Sequence, residues 1–153
     1  MTSLLQLCIG ICVLVFQVLC ADGGDLPAVL KRFLTEEDHI FTGAHIENDV
    51  KRLRDDFGIT ISTSIDLQLV VPKAAHRYEY LGGPHPLFGV RCSSLEKIAR
   101  EVLCLPRLRK EGADHDNWHL WYLLPSQVKY ATTDVYLSYE IAKQLEIKDG
   151  YRF

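Results

Sequence analysis

The N-terminal hydrophobic pattern predicts a β-hairpin. Residues 4–9, Leu-Leu-Gln-Leu-Cys-Ile, and residues 11–18, Ile-Cys-Val-Leu-Val-Phe-Gln-Val, are apolar and rich in strand-forming side chains, and Gly10 separates them. Glycine between two such runs is typical of a tight turn. The same run also resembles the apolar part of a targeting signal. However, no Lys or Arg precedes it, and it is shorter than the roughly 20 residues of a membrane span. We therefore expect a hairpin, with a signal anchor as the alternative.

After the hairpin, apolar residues at helical spacing predict a short amphipathic helix over residues 26–34, with Asp25 as its cap and Pro27 in its first turn. A second helix is predicted over residues 46–57, where apolar residues recur at helical intervals until Gly58 ends the pattern. Asp49 therefore lies in the first turns of a predicted helix.

The remaining segments alternate between strand, loop and helix patterns. Residues 59–71 are β-branched and alternating, which predicts a strand that Pro72 ends. The prolines and glycines after it predict a long loop to residue 91. Further helices are predicted over 94–103 and 126–145, with a loop between them. This order predicts one α/β domain over residues 1–153, with a mixed sheet flanked by helices.

Composition and charge narrow the function classes. The 153 residues are 48% hydrophobic and 24% charged, as expected for one ordinary globular domain. The formal net charge is −3, and the pI is about 6.0. These values exclude a protein that holds nucleic acid mainly through a broad basic surface. Any contact with nucleic acid must be local or assisted by metal ions.

A phenol and a carboxylate near the C-terminus suggest a metal-and-water site. Tyr130 and Asp134 are four residues apart in the last predicted helix, so they project from the same face. Asp49 is a further carboxylate that could join them. Each also has an ordinary structural interpretation. Asp49 would complement the helix dipole, and Tyr130 and Asp134 would be a surface pair. The residues alone leave both interpretations open.

The segments around these residues resemble a known enzyme family. They are Phe-Thr-Gly-Ala-His-Ile-Glu-Asn-Asp-Val-Lys-Arg-Leu at 41–53, Ser-Leu-Glu-Lys-Ile-Ala-Arg at 94–100, Trp118, and Leu-Pro-Ser-Gln-Val-Lys-Tyr-Ala-Thr-Thr-Asp at 124–134. Together they are similar to the second and third motifs of the DEDDy 3′-5′ exonucleases. The most similar branch is the Werner-type exonuclease domains of plants. The resemblance runs from about residue 3 to residue 145.

This resemblance implies a fold, an activity and a set of site residues. It implies a ribonuclease-H-like sheet and hydrolysis of DNA or RNA from the 3′ end with two Mg²⁺ or Mn²⁺ ions. Paired cations of this kind stabilise the attacking and leaving oxygens, and carboxylates hold them. Carried over by motif position, Asp49 and Asp134 are metal ligands, and Tyr130 orients the attacking water. Gln127 and Trp118 are supporting positions without an assigned chemical role.

The sequence also departs from the family pattern. In the family, an Asp-x-Glu motif on the first and central strand precedes the segment that corresponds to residues 5–10. Here only Met1, Thr2, Ser3 and Leu4 come before that segment. We therefore expect an N-terminally truncated sheet and impaired hydrolysis. Two hypotheses follow: an exonuclease that needs carboxylates from elsewhere, or a catalytically inactive module that binds nucleic acid or protein.

Partners and location are expected from the same resemblance. The expected partner is the 3′ end of a nucleic acid, without stable membrane association. The expected location is the nucleus or the cytoplasm. The sequence carries no indication of the oligomeric state.

Overall fold

The computed structural model describes residues 4–18, 21–82, 84–85, 89–90, 94–108 and 122–146. Its strands are β1 (Leu4–Ile9), β2 (Cys12–Gln17), β3 (Phe41–Gly43), β4 (Ser64–Asp66), β5 (Pro84–His85) and β6 (Gly89–Val90). Its α-helices are α1 (Ala28–Thr35), α2 (Ile46–Phe57), α3 (Leu67–Ala74), α4 (Leu95–Val102) and α5 (Pro125–Gln144). Two short 3₁₀ helices cover Asp22–Gly24 and His76–Leu81.

The predicted N-terminal hairpin is confirmed. β1 and β2 are antiparallel, and their register runs from Leu4 opposite Gln17 to Ile9 opposite Cys12. Gly10 opens the two-residue turn with a φ of 61°, which glycine adopts without steric cost. Within the described part of the chain, no helix combines the length and apolar character required to cross a membrane.

Helix α2 follows the prediction, whereas α1 begins differently. Gly58 ends α2 in the left-handed conformation, and its N–H donates to the Arg54 carbonyl at 2.9 Å. The predicted cap of α1 is wrong, because Pro27 occupies the N-cap position. Asp25 instead accepts a hydrogen bond from the Leu26 N–H at 2.8 Å and pairs with Lys31 at 2.7 Å.

The strand predicted over residues 59–71 is confirmed only at β4: residues 59–63 form no strand, and α3 begins after Asp66. The Asp66 carboxylate accepts a hydrogen bond from the Gln68 N–H at 2.9 Å and so caps this helix. Leu67 and Val71 are buried, while Leu69 is 48% exposed. A strand would place all three on one face, but a helix separates Leu69 from the other two. Because all three are apolar, their pattern in the sequence fits either structure.

The two C-terminal helices agree with their predictions. Ser94 caps α4, and its hydroxyl accepts a hydrogen bond from the Lys97 N–H at 3.2 Å. Pro125 is the first residue of α5. The predicted loop over residues 73–91 contains the second 3₁₀ helix and the short β5–β6 pair. Beyond residue 108, the predicted loop before α5 lies outside the described residues up to residue 121.

The strands form separate pairs with both parallel and antiparallel pairing. β3 pairs with β4 in parallel, with Phe41 opposite Ser64, and β5 pairs with β6 in antiparallel. The predicted α/β class, with mixed strands and flanking helices, is confirmed. In the described part of the chain, the β1–β2 and β3–β4 pairs are not joined by a hydrogen-bonded ladder.

Helix α5 connects the parts of the fold. It packs against β1, β2, β3 and α4. One buried cluster lies among α3, the second 3₁₀ helix, α4 and the C-terminal half of α5. Another lies among the hairpin, α1 and α2. Of the residues that the resemblance implicates, Asp49 lies in α2, and Tyr130 and Asp134 lie in α5.

Candidate active site

The structure brings Asp49 and Asp134 to the same cavity. Asp49 lies in the first turn of α2, and Asp134 lies in the middle of α5. Both line a cavity of about 370 Å³, together with residues of β1 and β3. The sequence separates these two carboxylates widely, and the fold brings them together, with α2 packed against β4 and α5 packed against β3. The structure thus brings the two aspartates to one cavity, and their predicted role as metal ligands stays a prediction.

The two carboxylates also interact electrostatically. The pKa of Asp49 is raised above its ordinary value, mainly because surrounding protein replaces part of the water around its carboxylate, and further because of the negative charge of Asp134. The residue keeps accessible surface, so the removal of water is partial. A raised carboxylate pKa beside a second carboxylate in a concave site is typical of functional sites.

Two basic side chains near Asp49 act in the opposite direction. Arg52, which also lines the cavity, and His45 each lower the pKa of Asp49. His45 precedes α2 with a φ of 55°, in the left-handed region that is uncommon for residues other than glycine. Neither residue belongs to the site that the sequence motifs predict. The spacing of three between Asp49 and Arg52 is the signal that could have placed them together.

Tyr130 lies on the same helix as Asp134, one turn earlier. It is half-buried, and it is not among the residues that line the cavity of the two aspartates. Tyr130 is therefore near the carboxylate pair along α5 but outside the cavity. Its predicted role in orienting water stays a prediction.

Gln127, predicted only as a supporting position, has a defined structural role. It is fully buried, and its Oε1 accepts a hydrogen bond from the Leu124 N–H at 2.8 Å. This bond satisfies one of the free backbone donors at the start of α5. Gln127 therefore fixes the first turn of the helix that carries Tyr130 and Asp134. Trp118, the other supporting position, lies outside the described residues.

The donor set fits a hard divalent cation in chemistry but is incomplete. Carboxylate oxygens are the ligands that Mg²⁺ and Mn²⁺ prefer. Among the described residues, no group of three or more metal-ligating side chains comes together. Asp66, a further carboxylate in the sequence, serves as the cap of α3. Asp49 and Asp134 are thus two suitable ligands of a site that needs more.

The fold and the site define an α/β domain with a carboxylate pair beside a sheet edge. The family model described as 3′-5′ exonuclease matches residues 2–148 of the chain. The chain therefore belongs to the 3′-5′ exonuclease family, as the sequence motifs predicted.

The chain is also similar to individual exonuclease proteins. It is 26% identical over 120 residues to Exonuclease 3'-5' domain-containing protein 2 of Drosophila melanogaster. The match covers 78% of this chain and 18% of that relative, so the chain spans less than a fifth of the relative's length.

Solved structures of the EXD2 exonuclease domain are similar as well. The crystal structure soaked in Mn and dGMP has a TM-score of 0.44 and 23% identity, and covers 95% of this chain and 70% of that chain. The structure soaked in Mg and GMP has a TM-score of 0.43 and 25% identity, and covers 94% and 67%. At these TM-scores the resemblance in shape is low, and the family assignment rests on the match in sequence.

Proposed function

We propose that this chain supplies the Asp49–Asp134 part of a metal-dependent 3′-5′ exonuclease site that acts on the 3′ end of DNA or RNA. The observation that carries the proposal is the presence of both motif aspartates in one cavity of a chain of this family. The raised pKa of Asp49 supports it, since burial and, to a smaller extent, the negative charge of Asp134 disfavour the ionised carboxylate, which a bound cation would stabilise.

The chemistry of the proposed site follows from its residues. Asp49 and Asp134 would hold Mg²⁺ or Mn²⁺, which would stabilise the attacking and leaving oxygens of phosphodiester hydrolysis. Arg52, exposed at the rim of the same cavity, is placed to contact a substrate phosphate. Tyr130 keeps its proposed role of positioning a water molecule from the preceding turn of α5.

We further propose that hydrolysis by these residues alone is impaired. The 153-residue sequence contains no Asp-x-Glu triplet. The described residues add no third carboxylate to the pair. Two carboxylates bind a hard cation weakly, because such ions take about six or more oxygen ligands. This shortage also favours the alternative, a catalytically inactive module of the same fold that binds nucleic acid or protein.

The finer family assignment and the location are proposals as well. The motifs at 41–53 and 124–134 support placement in the plant branch of Werner-type exonuclease domains. In that branch an Asp-x-Glu motif completes the metal site, and the 153 residues do not contain this motif. A nuclear or cytoplasmic location is proposed from the family resemblance alone.

A 5′-labelled oligonucleotide tests the function directly. With Mn²⁺ we expect slow shortening from the 3′ end, lost on chelation and in Asp134→Asn. Glu47→Gln, which removes an exposed carboxylate from the same turn of α2 as Asp49, is the matched control and should keep the activity. Rapid digestion would contradict the impairment. Absence of shortening, with nucleic-acid affinity that neither chelation nor Asp134→Ala changes, would select the inactive module.

Tyr130→Phe tests the role of the phenol separately. We expect Mn²⁺ affinity to be unchanged, because Tyr130 lies outside the cavity of the two aspartates. Shortening should slow by about 10²-fold or more if the hydroxyl positions or polarises the water. Loss of Mn²⁺ affinity would show that Tyr130 shapes the site structurally, and an unchanged rate would remove its proposed role.

A further inference from the structure

Strand β2 forms an unprotected edge of the N-terminal hairpin. Within the described residues, β2 pairs with β1 and has no ladder partner on its other side. Its sequence, Cys-Val-Leu-Val-Phe-Gln at 12–17, contains no charged residue, proline or glycine. Natural edge strands commonly carry charges, prolines or bulges that discourage pairing with a further strand. Because β2 has none of these residues, its edge favours the addition of another strand.

The backbone groups of two valines point to this edge. Ile9 and Cys12 flank the two-residue turn, so they form the closing hydrogen-bonded pair of the hairpin. Hydrogen-bonded and non-hydrogen-bonded pairs alternate along an antiparallel ladder. The backbone groups of Leu14 therefore point to β1, whereas those of Val13 and Val15 point to the outer edge. An added strand would form its hydrogen bonds with these two valines.

An apolar groove lies beside the same strand. It has a volume of about 550 Å³ and is lined by residues of the hairpin and of the start of α1, none of which is charged. Three of its apolar side chains are well exposed: Ile9 at 60%, Leu14 at 44% and Val29 at 72%. Helix α1 thus leaves part of this hairpin face uncovered. A contiguous apolar surface of this kind is typical of a site that contacts another molecule.

The edge and the groove together fit a second copy of this chain. An antiparallel pair of identical strands is symmetric, so β2 can satisfy its own edge groups around a twofold axis. Because neither the strand nor the groove carries a charge, two copies meet without like-charge repulsion. A lipid surface offers no hydrogen-bonding partner to the edge groups of Val13 and Val15, and such groups are costly to leave unpaired in an apolar environment.

We propose that this chain forms a homodimer in which the β2 strands of two copies pair in antiparallel about a twofold axis at Leu14. Val13 of each copy exchanges backbone hydrogen bonds with Val15 of the other, and the two hairpins become one four-stranded sheet. The two Leu14 side chains meet on the face that lines the groove, and each covers part of the groove of the other copy. No residue of β2 lines the cavity of Asp49 and Asp134, so the proposal is independent of the cation site.

Sedimentation velocity of the intact chain in reducing buffer tests the dimer. We expect a monomer–dimer equilibrium for the wild type. Leu14→Lys and Leu14→Glu, which place like charges opposite each other across the axis, should each weaken dimerisation by about tenfold or more. An equimolar mixture of these two variants should restore the dimer, because opposite charges then face each other. Leu69→Lys, the control, changes a leucine of similar exposure on α3, 48% against 44%, and should leave the equilibrium unchanged.

Amide exchange locates the interface in the wild type. The protection of the Val13 and Val15 amides should rise with protein concentration, because these amides become bonded in the dimer. The amides of Gln6 and Cys8 point to the opposite edge of the hairpin, so their protection should not change. A rise at Gln6 and Cys8 instead would place the contact at that other edge and overturn the proposal.

The remaining outcomes also decide the proposal. A wild type that stays monomeric, or a dimer that the Leu14 variants do not weaken, overturns it. A mixture of the two charged variants that stays monomeric contradicts pairing across Leu14. Monomeric protein that binds vesicles of neutral phospholipid would assign the groove to a lipid surface. Val29→Lys lies in the groove but outside the hairpin, so it tests the dimer even if the Leu14 variants do not fold. It should weaken dimerisation by about threefold or more, and no change would show that the partner does not cover the groove.

Discussion

Replacement of Asp49 by Asn is expected to stabilise the metal-free protein relative to a matched control. Asp49 has a raised pKa, because it is partly removed from water and close to Asp134, so its charge opposes folding. The control is Glu47→Gln, which removes a charge from the same helix turn and loses the same favourable interaction with the helix dipole. Comparing the two variants cancels the dipole contribution.

Solvent limits the size of this difference in stability, and the pH decides whether the difference is present. Because Asp49 remains accessible, screening holds the difference between the two variants to about 0.3–1 kcal/mol. For a domain of this size, that corresponds to roughly 1–4 °C in Tm. The folded state binds the Asp49 proton more tightly than the unfolded state, so this carboxylate lowers stability as pH rises through the raised pKa. Asp49→Asn should therefore be more stable than Glu47→Gln at pH 7, and this difference should be absent well below the ordinary Asp pKa.

Urea unfolding of both variants and the wild type at pH 3 and pH 7 measures this directly. Equal free energies of unfolding for the two variants at pH 7, or a difference that persists unchanged at pH 3, would refute the reasoning that partial burial and the nearby charge of Asp134 disfavour the ionised Asp49. If Asp49→Asn stabilised the protein more in Mn²⁺ than in chelator, the proposed cation site would be contradicted, because a bound cation should stabilise the wild type.

The other predictions concern the framework of the site. Gln127→Ala should lower the free energy of unfolding by about 1–3 kcal/mol, since the Leu124 N–H loses its acceptor, whereas the exposed neighbouring change Val128→Ala should alter it by no more than about 0.5 kcal/mol. Equal effects of the two would remove the capping role of Gln127. Gly82→Ala should cost about 1–3 kcal/mol, because the added Cβ would lie 2.5 Å from Cγ of Pro72. In a double-mutant cycle, Pro72→Ala should relieve most of this cost, and strict additivity would contradict the clash.

The elements predicted correctly from the sequence are those in which several local signals point to the same structure. The N-terminal hairpin combines strand-forming residues with a glycine turn, and Pro125 marks the start of α5. The segment after Asp66 was mispredicted because Leu67, Leu69 and Val71 satisfy both the strand and the helix pattern. Only packing, which buries two of them and exposes the third, distinguishes the two structures.

The carboxylate pair was predictable by family resemblance but not by local pattern. Asp49 and Asp134 are distant in sequence, and each has an ordinary structural interpretation in its own helix. Arg52, which lines the same cavity, does not stand out in the sequence, because a basic residue three positions from an aspartate is common on exposed helix faces.

Calorimetric titration of Mn²⁺ into the wild type, Asp49→Asn and Asp134→Asn tests the central claim that these two aspartates form a cation site. We expect the wild type to bind Mn²⁺ weakly and both Asp49→Asn and Asp134→Asn to lose this binding. The control Asp66→Asn should retain it, because Asp66 caps α3 and does not line the cavity of the pair. Equal Mn²⁺ affinity in the wild type and in both site variants would contradict the claim.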